Sequence, residues 1–282
     1  MTNNFNVYKE ISNCFLCNNA LCSVACPNKN DPARAIRAIK FDNLNCAGNY
    51  FSESCLNCDA ECEKACINHN YPVHIKEIAK NIYRNTKNQS KVDLSIEFCN
   101  VHCENPFFLG SSVIANNYEM IARAFDMGWG GAYFKTICYY RCDEVSPRFD
   151  AVLNEDKPFV GFRNMEQLSE HSPQEDFEII RRLKNNYPNK IIIASIMGQK
   201  EEEWKKLAQL SQEAGADMVE CNFSCPNMTS KGMGSDIGES EELVTMYTKA
   251  AKSGTKLPVI AKMTPNVSHM ELIAEAALKG GA

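Results

Sequence analysis

Short apolar runs rich in β-branched residues recur through the second part of the chain, and amphipathic segments separate them. Four of these runs cover residues 131–137, 191–197, 218–223 and 257–263. Strands that alternate with helical segments in this way are typical of parallel sheets with crossover helices. Including an earlier run at 107–113, the pattern predicts roughly five β/α units of the kind that build an eight-stranded barrel.

Two segments carry the signature of a helix N-terminus. Ser172 to Glu175 (SPQE) combines a capping box with Pro at the first helical position, and Ser268 to Glu271 (SHME) predicts another box. The sequence stops at Ala282, where the next strand is expected, so we expect an α/β fold that is a partial (β/α)8 TIM barrel.

The N-terminal part of the chain has a different composition. It is rich in cysteine and carries short helical stretches at 31–39 and 72–79. A polar stretch at 85–91 (NTKNQSK) is the best candidate for a linker. We therefore expect a small α-helical domain at 1–90 and the barrel segment at 91–282.

Eight cysteines of the N-terminal part form two blocks of four. The first block has the spacing C-x2-C-x4-C-x3-C-P and the second has C-x2-C-x3-C-x3-C. Such runs are typical of [4Fe–4S] ligands, and the last cysteine of a run commonly binds the neighbouring cluster. The spacing therefore predicts two [4Fe–4S] clusters. The predicted metal ligands are Cys14, Cys17, Cys22, Cys26, Cys55, Cys58, Cys62 and Cys66.

Zinc and disulfides are the alternatives for these cysteines. Structural zinc sites usually combine two short pairs rather than two runs of four. Disulfides need an oxidising compartment, whereas the polar N-terminus has no apolar signal segment, so we expect a reducing cytoplasm. The odd total of 15 cysteines also fits poorly with complete pairing. We assign no metal to Cys46 or to the pairs Cys99/Cys103 and Cys138/Cys142.

Composition excludes some classes of protein. A net charge of −5 gives no indication of nucleic-acid binding. The sequence contains no run of 18 apolar residues, so we expect no membrane span. No G-x-G-x-x-G motif follows a predicted strand, so the sequence gives no indication of a dinucleotide-binding fold.

Polar residues follow three predicted strands at their C-terminal ends, where a barrel builds its site. Lys135 and Thr136 end one strand, Cys225 follows another, and Lys262 ends a third. A rim lysine can neutralise charge that develops at flavin N1, although a lone one is as often a solvated surface charge. Cys225 lies close to Asn222 in sequence, and it is either inert packing or an exposed proton donor or acceptor.

Several of these stretches resemble the flavin-bearing subunit of bacterial NAD-dependent dihydropyrimidine dehydrogenase. They are GWGGAYFKT at 128–136, EVSPRFD at 144–150, GFRNMEQL at 161–168, IASIMG at 193–198, EAGADMVECNFSCPNM at 213–228 and AKMTPN at 261–266. The cysteine blocks at 14–27 and 55–66, with DPARAIRAIKF at 31–41, resemble the iron–sulfur domain of the long eukaryotic enzyme. The similarity covers nearly the whole chain.

The resemblance implies an FMN in the barrel and reversible reduction of uracil or thymine at the 5,6 bond. It implies that Cys225 protonates C5 while a hydride passes between the flavin and C6. The residues that resemble pyrimidine contacts are Asn164, Glu166, Asn222 and Ser224. The residues that resemble flavin contacts are Gly110, Ser111, Ser112, Lys135, Thr136 and Lys262. A pyrimidine base as substrate, an NAD(H)- and FAD-binding partner subunit and an oligomer are also expected.

One departure and two alternatives accompany this resemblance. The long enzyme uses a glutamine as one cluster ligand, whereas Ala79 stands near that position here, so all-cysteine ligation is the simpler interpretation. A dihydroorotate dehydrogenase shares the barrel, the FMN and the loop around Cys225. Asn164 and Glu166 favour an uncharged pyrimidine, because an orotate carboxylate would call for a cationic partner. The second alternative is a non-catalytic electron-transfer or assembly protein whose incomplete barrel binds no flavin.

Overall fold

The computed structural model describes residues 5–85, 92–141, 149–155, 159–228 and 230–282. The chain divides into two compact units, Met1–Val92 and Asp93–Ala282. The expected linker lies outside the described residues, apart from Asn85 at the end of a helix, and so do Cys142 and most of the stretch at 144–150. No helix of the described ranges is both long enough and apolar enough to cross a membrane.

The N-terminal unit consists of short helices. They are α1 (Val7–Ile11), α2 (Leu21–Val24), α3 (Pro32–Lys40), α4 (Leu44–Asn49), a 3₁₀ helix (Glu53–Leu56), α5 (Glu61–Lys64) and α6 (Ile75–Asn85). Helix α3 agrees with the prediction, because Asp31 accepts a hydrogen bond from the backbone N–H of Arg34 and Pro32 takes the first helical position. Apolar side chains of α3 and α6, such as Ile36 and Ile78, form much of the core of this unit.

Helix α6 begins three residues later than the sequence suggested. The expected stretch starts at Pro72, but the first helical residue is Ile75. The backbone N–H of His74 donates to the Glu10 carboxylate of α1, with 2.8 Å between nitrogen and Oε1. This bond from another helix holds the chain just before α6 and fixes where the helix starts.

The second unit is built on a parallel sheet with the strand order β3-β4-β7-β8-β9. Its elements are β1 (Ile96–Phe98), β2 (Val101–Cys103), β3 (Phe108–Leu109), a 3₁₀ helix (Val113–Ala115), α7 (Tyr118–Asp126), β4 (Gly131–Ile137), β5 (Phe149–Val152), β6 (Gly161–Asn164), α8 (Pro173–Asn186), β7 (Ile191–Ile196), α9 (Glu201–Glu213), β8 (Met218–Phe223), α10 (Ser235–Gly238), α11 (Glu241–Gly254), β9 (Val259–Met263) and α12 (Met270–Gly280). All neighbouring strands of this sheet are parallel, and the pairing of β4 with β7 shifts register between Phe134 and Ile137. The predicted α/β partial barrel is therefore confirmed.

The predicted strands are largely correct, and two hairpins were missed. Strands β4 and β8 match the predicted bounds, whereas the strand expected at 107–113 is only Phe108–Leu109, because the chain turns at Gly110. The hairpins β1–β2 and β5–β6 are antiparallel and too short for a clear period-2 pattern. The first hairpin turns at Cys99 and Asn100, which both have positive φ.

One capping prediction is confirmed and the other is wrong. Ser172 and Glu175 form a complete capping box at the start of α8. The N-cap of α12 is His269 rather than Ser268, and no side chain caps this helix. The imidazole Nδ1 of His269 lies 3.0 Å from Oε1 of Glu271, so the glutamate pairs with the histidine instead of completing a box.

The hairpin β1–β2 covers the N-terminal ends of the sheet strands. Cys103 at the end of the hairpin packs with Ile191 and Ile193 of β7 and with Met218 of β8. On the helical side, Trp204 of α9 is fully buried between Phe223 and Tyr247. The N-terminal ends are thus closed by packing, and the polar residues lie at the C-terminal ends of the strands.

Candidate functional site

A chain of hydrogen bonds joins the C-terminal ends of four parallel strands. Thr136 Oγ1 of β4 lies 2.9 Å from Ser195 Oγ of β7 and 2.9 Å from Asn222 Nδ2 of β8. Ser195 Oγ is 2.7 Å from Oε1 of Glu220 in β8. The ammonium of Lys262 in β9 is 2.8 Å from the same carboxylate oxygen. The structure therefore brings the predicted Thr136, Asn222 and Lys262 into one network.

Sequence reasoning missed Ser195 and Glu220. Both side chains are buried, and each lies in a strand whose residues are buried on both faces. A polar residue within such an apolar strand was the available signal, because a buried polar group needs a partner to offset the cost of removing it from water.

Lys135 and Glu166 form a buried ion pair beside this network. Their Nζ and Oε1 atoms are 3.1 Å apart, and the side chains are 5% and 7% exposed. Glu166 follows β6, where Asn164 Oδ1 accepts its backbone N–H at 2.8 Å. Asn227 of the loop after β8 donates to the carbonyl oxygens of Asn164 (3.1 Å) and Glu166 (3.3 Å). The two loops that carry the predicted pyrimidine contacts are thus tied together.

The loop that carries Cys225 is held by backbone contacts and by two glycines. The Cys225 carbonyl oxygen accepts from the backbone N–H of Ser235 at 2.9 Å, and a Cβ on Gly234 would lie 2.2 Å from that oxygen. Gly234 also has φ +58°, which favours glycine. A Cβ on Gly238 would lie 2.2 Å from the Phe223 carbonyl oxygen. Only glycine therefore permits the close approach that fixes the half-buried Cys225.

Ser224 and Asn222 are also linked to each other. The backbone N–H and the hydroxyl of Ser224 both donate to Asn222 Oδ1, at 3.1 and 2.8 Å. Since Asn222 Nδ2 donates to Thr136, the amide of Asn222 keeps one N–H for a ligand. Asn222 thus belongs to the network and keeps one N–H for the predicted pyrimidine contact.

The turn after β3 lies against the same strand ends. Ser111 Oγ is 3.5 Å from Thr136 Oγ1, whereas Ser112 Oγ donates to the Gly110 carbonyl and so bonds within its own turn. A methyl group on Gly110 would meet no atom within 4 Å, so the turn borders open space. Hydroxyl groups, an amide and two ammonium groups around open space are suited to the carbonyl-rich edge and the hydroxyls of a flavin, and the residues present fit FMN.

In the N-terminal unit, the predicted iron ligands line two cavities. One has a volume of about 260 Å³ and contains three cysteines of the second block with the last cysteine of the first: Cys55, Cys58, Cys62 and Cys26. The other contains three cysteines of the first block with the last of the second: Cys14, Cys17, Cys22 and Cys66. The last cysteine of each block thus lines the cavity of the other block, which is the arrangement expected of paired clusters.

The two cavities differ in size and lining. The second cavity has a volume of about 30 Å³, room for about two waters, so its cysteine side chains must reorient to hold a cube. Its wall is largely apolar, whereas the first cavity is bordered by Asn30 and Lys76. Asn30 Nδ2 donates to Cys55 Sγ at 3.2 Å, and Lys76 Nζ donates to the Cys58 carbonyl at 2.5 Å.

The surroundings of the thiols in these cavities disfavour the negatively charged thiolate form. Burial raises the pKa of Cys62 to about 12, and Glu63, Cys58 and Cys26 add to the effect. Burial likewise raises the pKa of Cys22, with smaller contributions from Cys14 and Cys66. Within the described residues, no three His, Cys, Asp or Glu side chains are close enough to bind one metal ion. A [4Fe–4S] cube would supply the positive charge that thiolates in these cavities need.

Comparison with known proteins agrees with this geometry. Residues 93–282 match the dihydroorotate dehydrogenase family. The chain is 58% identical over 190 residues to the NAD-dependent dihydropyrimidine dehydrogenase subunit PreA of Escherichia coli K12, which covers 67% of this chain and 46% of the relative. It is 32% identical over 202 residues to the chloroplastic dihydropyrimidine dehydrogenase (NADP⁺) of Arabidopsis thaliana, covering 68% and 47%.

Two further similarities concern dihydroorotate dehydrogenases. The catalytic subunit of dihydroorotate dehydrogenase B (NAD⁺) from Pyrococcus abyssi is 35% identical over 67% of this chain and 60% of its own length. A crystal structure of the Eimeria tenella enzyme superimposes with a TM-score of 0.54 at 15% identity, covering 67% of this chain and 57% of that one, and supports the fold alone. The chain spans about half the length of PreA and of the plant enzyme. The resemblance inferred from the motifs of the second unit is confirmed, and the chain belongs to the dihydroorotate dehydrogenase family of flavin-dependent oxidoreductases.

Proposed function

We propose that this chain carries the flavin-dependent half-reaction of a dihydropyrimidine dehydrogenase, the interconversion of uracil or thymine with the 5,6-dihydropyrimidine. The observation that carries the proposal is the strand-end network, in which Thr136, Asn222 and Lys262 converge next to the Cys225 loop. The 58% identity to a dihydropyrimidine dehydrogenase subunit supports this substrate class over others in the family.

Each residue has a distinct role in this proposal. Bound FMN would exchange a hydride with C6 of the pyrimidine. Lys135, Thr136 and Lys262, with the turn from Gly110 to Ser112, would hold the flavin. Asn164, Glu166 and Ser224 would orient the amide edges of the pyrimidine, with the remaining N–H of Asn222. Cys225 would give a proton to C5 in reduction and take one from it in oxidation.

The ion pairs favour an uncharged pyrimidine over orotate. Lys135 is paired with the buried Glu166, and Lys262 is paired with the buried Glu220. Each rim ammonium therefore already has a carboxylate partner. An orotate carboxylate entering the site would have to compete with these partners or remain without a counter-charge, which is costly in a buried site.

We further propose that the N-terminal unit holds two [4Fe–4S] clusters and relays electrons to a partner subunit that binds NAD(H) and FAD. The exchange of Cys26 and Cys66 between the two cavities supports paired clusters. That PreA is named as a subunit of an NAD-dependent enzyme supports a partner.

Anaerobic reconstitution tests the proposal on the full chain. The chain is loaded with FMN, iron and sulfide, and the flavin band at roughly 450 nm is followed after addition of dihydrouracil, dihydrothymine or dihydroorotate. We expect the two dihydropyrimidines to bleach the flavin and dihydroorotate to leave it oxidised. Bleaching by dihydroorotate alone would reassign the chain to the alternative activity, and failure to bind FMN would favour the non-catalytic alternative.

A further inference from the structure

Glu220 is a buried carboxylate that the proposed function uses only as the partner of Lys262. We infer that it is the fixed counter-charge of Lys262 and that it lowers the reduction potential of the bound flavin. This inference rests on the proposed binding of FMN at the strand ends, and it concerns a positioning and tuning residue rather than a contact with the substrate.

The Glu220 carboxylate determines which group donates and which accepts in each hydrogen bond of the network. A carboxylate only accepts, so the Ser195 hydroxyl must donate to Oε1 of Glu220. With its proton committed there, Ser195 can only accept from the Thr136 hydroxyl. Thr136 in turn accepts from Asn222 Nδ2. All donors therefore point along one line toward Glu220, which sets the orientation of the Thr136 hydroxyl and the Asn222 amide.

Lys262 approaches the same oxygen atom from the open side of the site. Its side chain is 35% exposed, whereas that of Glu220 is 3% exposed. Glu220 is thus held from within the barrel by Ser195, and Lys262 can extend between this carboxylate and a ligand. The negative charge of Glu220 is therefore buried, whereas the positive charge of Lys262 is partly exposed at the surface of the site.

The electrostatic consequence concerns the flavin. A positive charge near the flavin favours its reduced, anionic form and raises the reduction potential. A carboxylate 2.8 Å from that ammonium cancels much of the field. Burial of Glu220 keeps water from screening this effect. The reduction potential of the flavin should therefore be lower than it would be if Lys262 had no carboxylate partner.

Glu220→Gln tests the inference in the FMN-loaded full chain. Glutamine keeps the shape and can still accept from Ser195, but it removes the charge. We expect the midpoint potential of the flavin to rise and the dissociation constant of the flavin–sulfite adduct to fall on the order of tenfold, because sulfite adds a negative charge to the flavin. Glu213→Gln on α9, a carboxylate away from the strand ends, is the matched control and should change neither value.

The outcomes separate this inference from the proposed function. An unchanged or lower potential in FMN-loaded Glu220→Gln overturns the tuning role while the function stands. If the glutamine variant holds no FMN, Glu220→Asp is measured instead. The shorter aspartate keeps the negative charge but moves it away from Lys262. A modest rise in the flavin potential relative to the unsubstituted chain supports the inference, and no rise overturns it. If the unsubstituted chain binds no FMN, the proposed function fails first.

Discussion

Lys135 and Glu166 form a nearly inaccessible ion pair between the end of β4 and the loop after β6, with 3.1 Å between Nζ and Oε1. Two opposite charges in such a place stabilise each other only as a pair, because each alone would bear the cost of leaving water. The pair therefore fixes the position of the loop that follows Asn164, and it balances one of the two rim cations.

Replacing one member of this pair should be strongly destabilising. Glu166→Gln leaves the buried ammonium of Lys135 without its counter-charge, and we expect the free energy of unfolding to fall by about 3–5 kcal/mol. Urea denaturation followed by tryptophan fluorescence measures this in the second unit, because Trp129 and Trp204 are the two tryptophans of the chain.

Two variants complete the test of the ion pair. Combining Glu166→Gln with Lys135→Met removes both charges and should recover most of the lost stability. Glu178→Gln on α8 breaks an exposed pair with Arg181 and should cost less than about 1 kcal/mol. Equal losses in Glu166→Gln and Glu178→Gln would show that the burial of Lys135 and Glu166 has no energetic role.

Cys225→Ala should separate proton transfer from binding. The thiol lies on a loop held by backbone contacts to Ser235 and Gly234, so its removal leaves the loop in place. We expect FMN and pyrimidine binding to be nearly unchanged, while turnover falls roughly 10²–10⁴-fold, as for loss of a general acid. Cys99→Ala, on an exposed turn, is the control with unchanged turnover. Full turnover in Cys225→Ala would return this cysteine to a packing role.

The exchange of cysteines between blocks predicts a crossed pattern of iron loss. The reconstituted chain should contain about eight irons. Cys66→Ala should weaken the cluster of Cys14, Cys17 and Cys22, although Cys66 belongs to the second block. Iron analysis combined with electron paramagnetic resonance follows the two clusters separately. Loss of the other cluster, or zinc in place of iron, would contradict the assignment.

Asn30 should distinguish the two clusters by their potentials. Its amide donates to Cys55 Sγ at 3.2 Å, and hydrogen bonds to the sulfurs raise the potential of a cluster. Asn30→Ala should therefore lower the midpoint potential of the cluster at Cys26 and Cys55 and leave that at Cys14 and Cys66 unchanged. A redox titration monitored by electron paramagnetic resonance tests this, and an equal shift of both signals would argue against a local hydrogen bond.

The sequence predicted those parts of the structure that depend on local pattern. Strand β7 is apolar and rich in isoleucine, so its limits were predicted to within one residue, and the capping box at Ser172 correctly predicted the start of α8. The late start of α6 was not predictable, because it depends on Glu10, which is distant in sequence. Ser195 and Glu220 were missed for a related reason: their partners come from other strands, and only the sheet register brings them together.

Asp176 should make stability depend on pH. Its side chain is fully buried in α8, accepts from Ser169 Oγ at 2.9 Å and lies 3.1 Å from His171 Nδ1. Its Oδ2 atom has no hydrogen-bond partner in the described part of the chain. Burial raises the pKa of this carboxyl to about 6, although the hydrogen bonds from Ser169 and His171 oppose the shift.

The sign of the effect follows from proton linkage. Between about pH 4 and pH 6 the unfolded chain has released the Asp176 proton while the folded chain retains it, so stability falls as pH rises through this window. Asp176→Asn removes this titration, and its stability relative to the unsubstituted chain should increase by on the order of 2–3 kcal/mol between pH 4 and pH 7. Urea denaturation at each pH measures the difference, with Glu178→Gln on the exposed face of the same helix as control. A constant difference across this range would mean that Asp176 does not titrate there, and that its burial is matched by the donors around it.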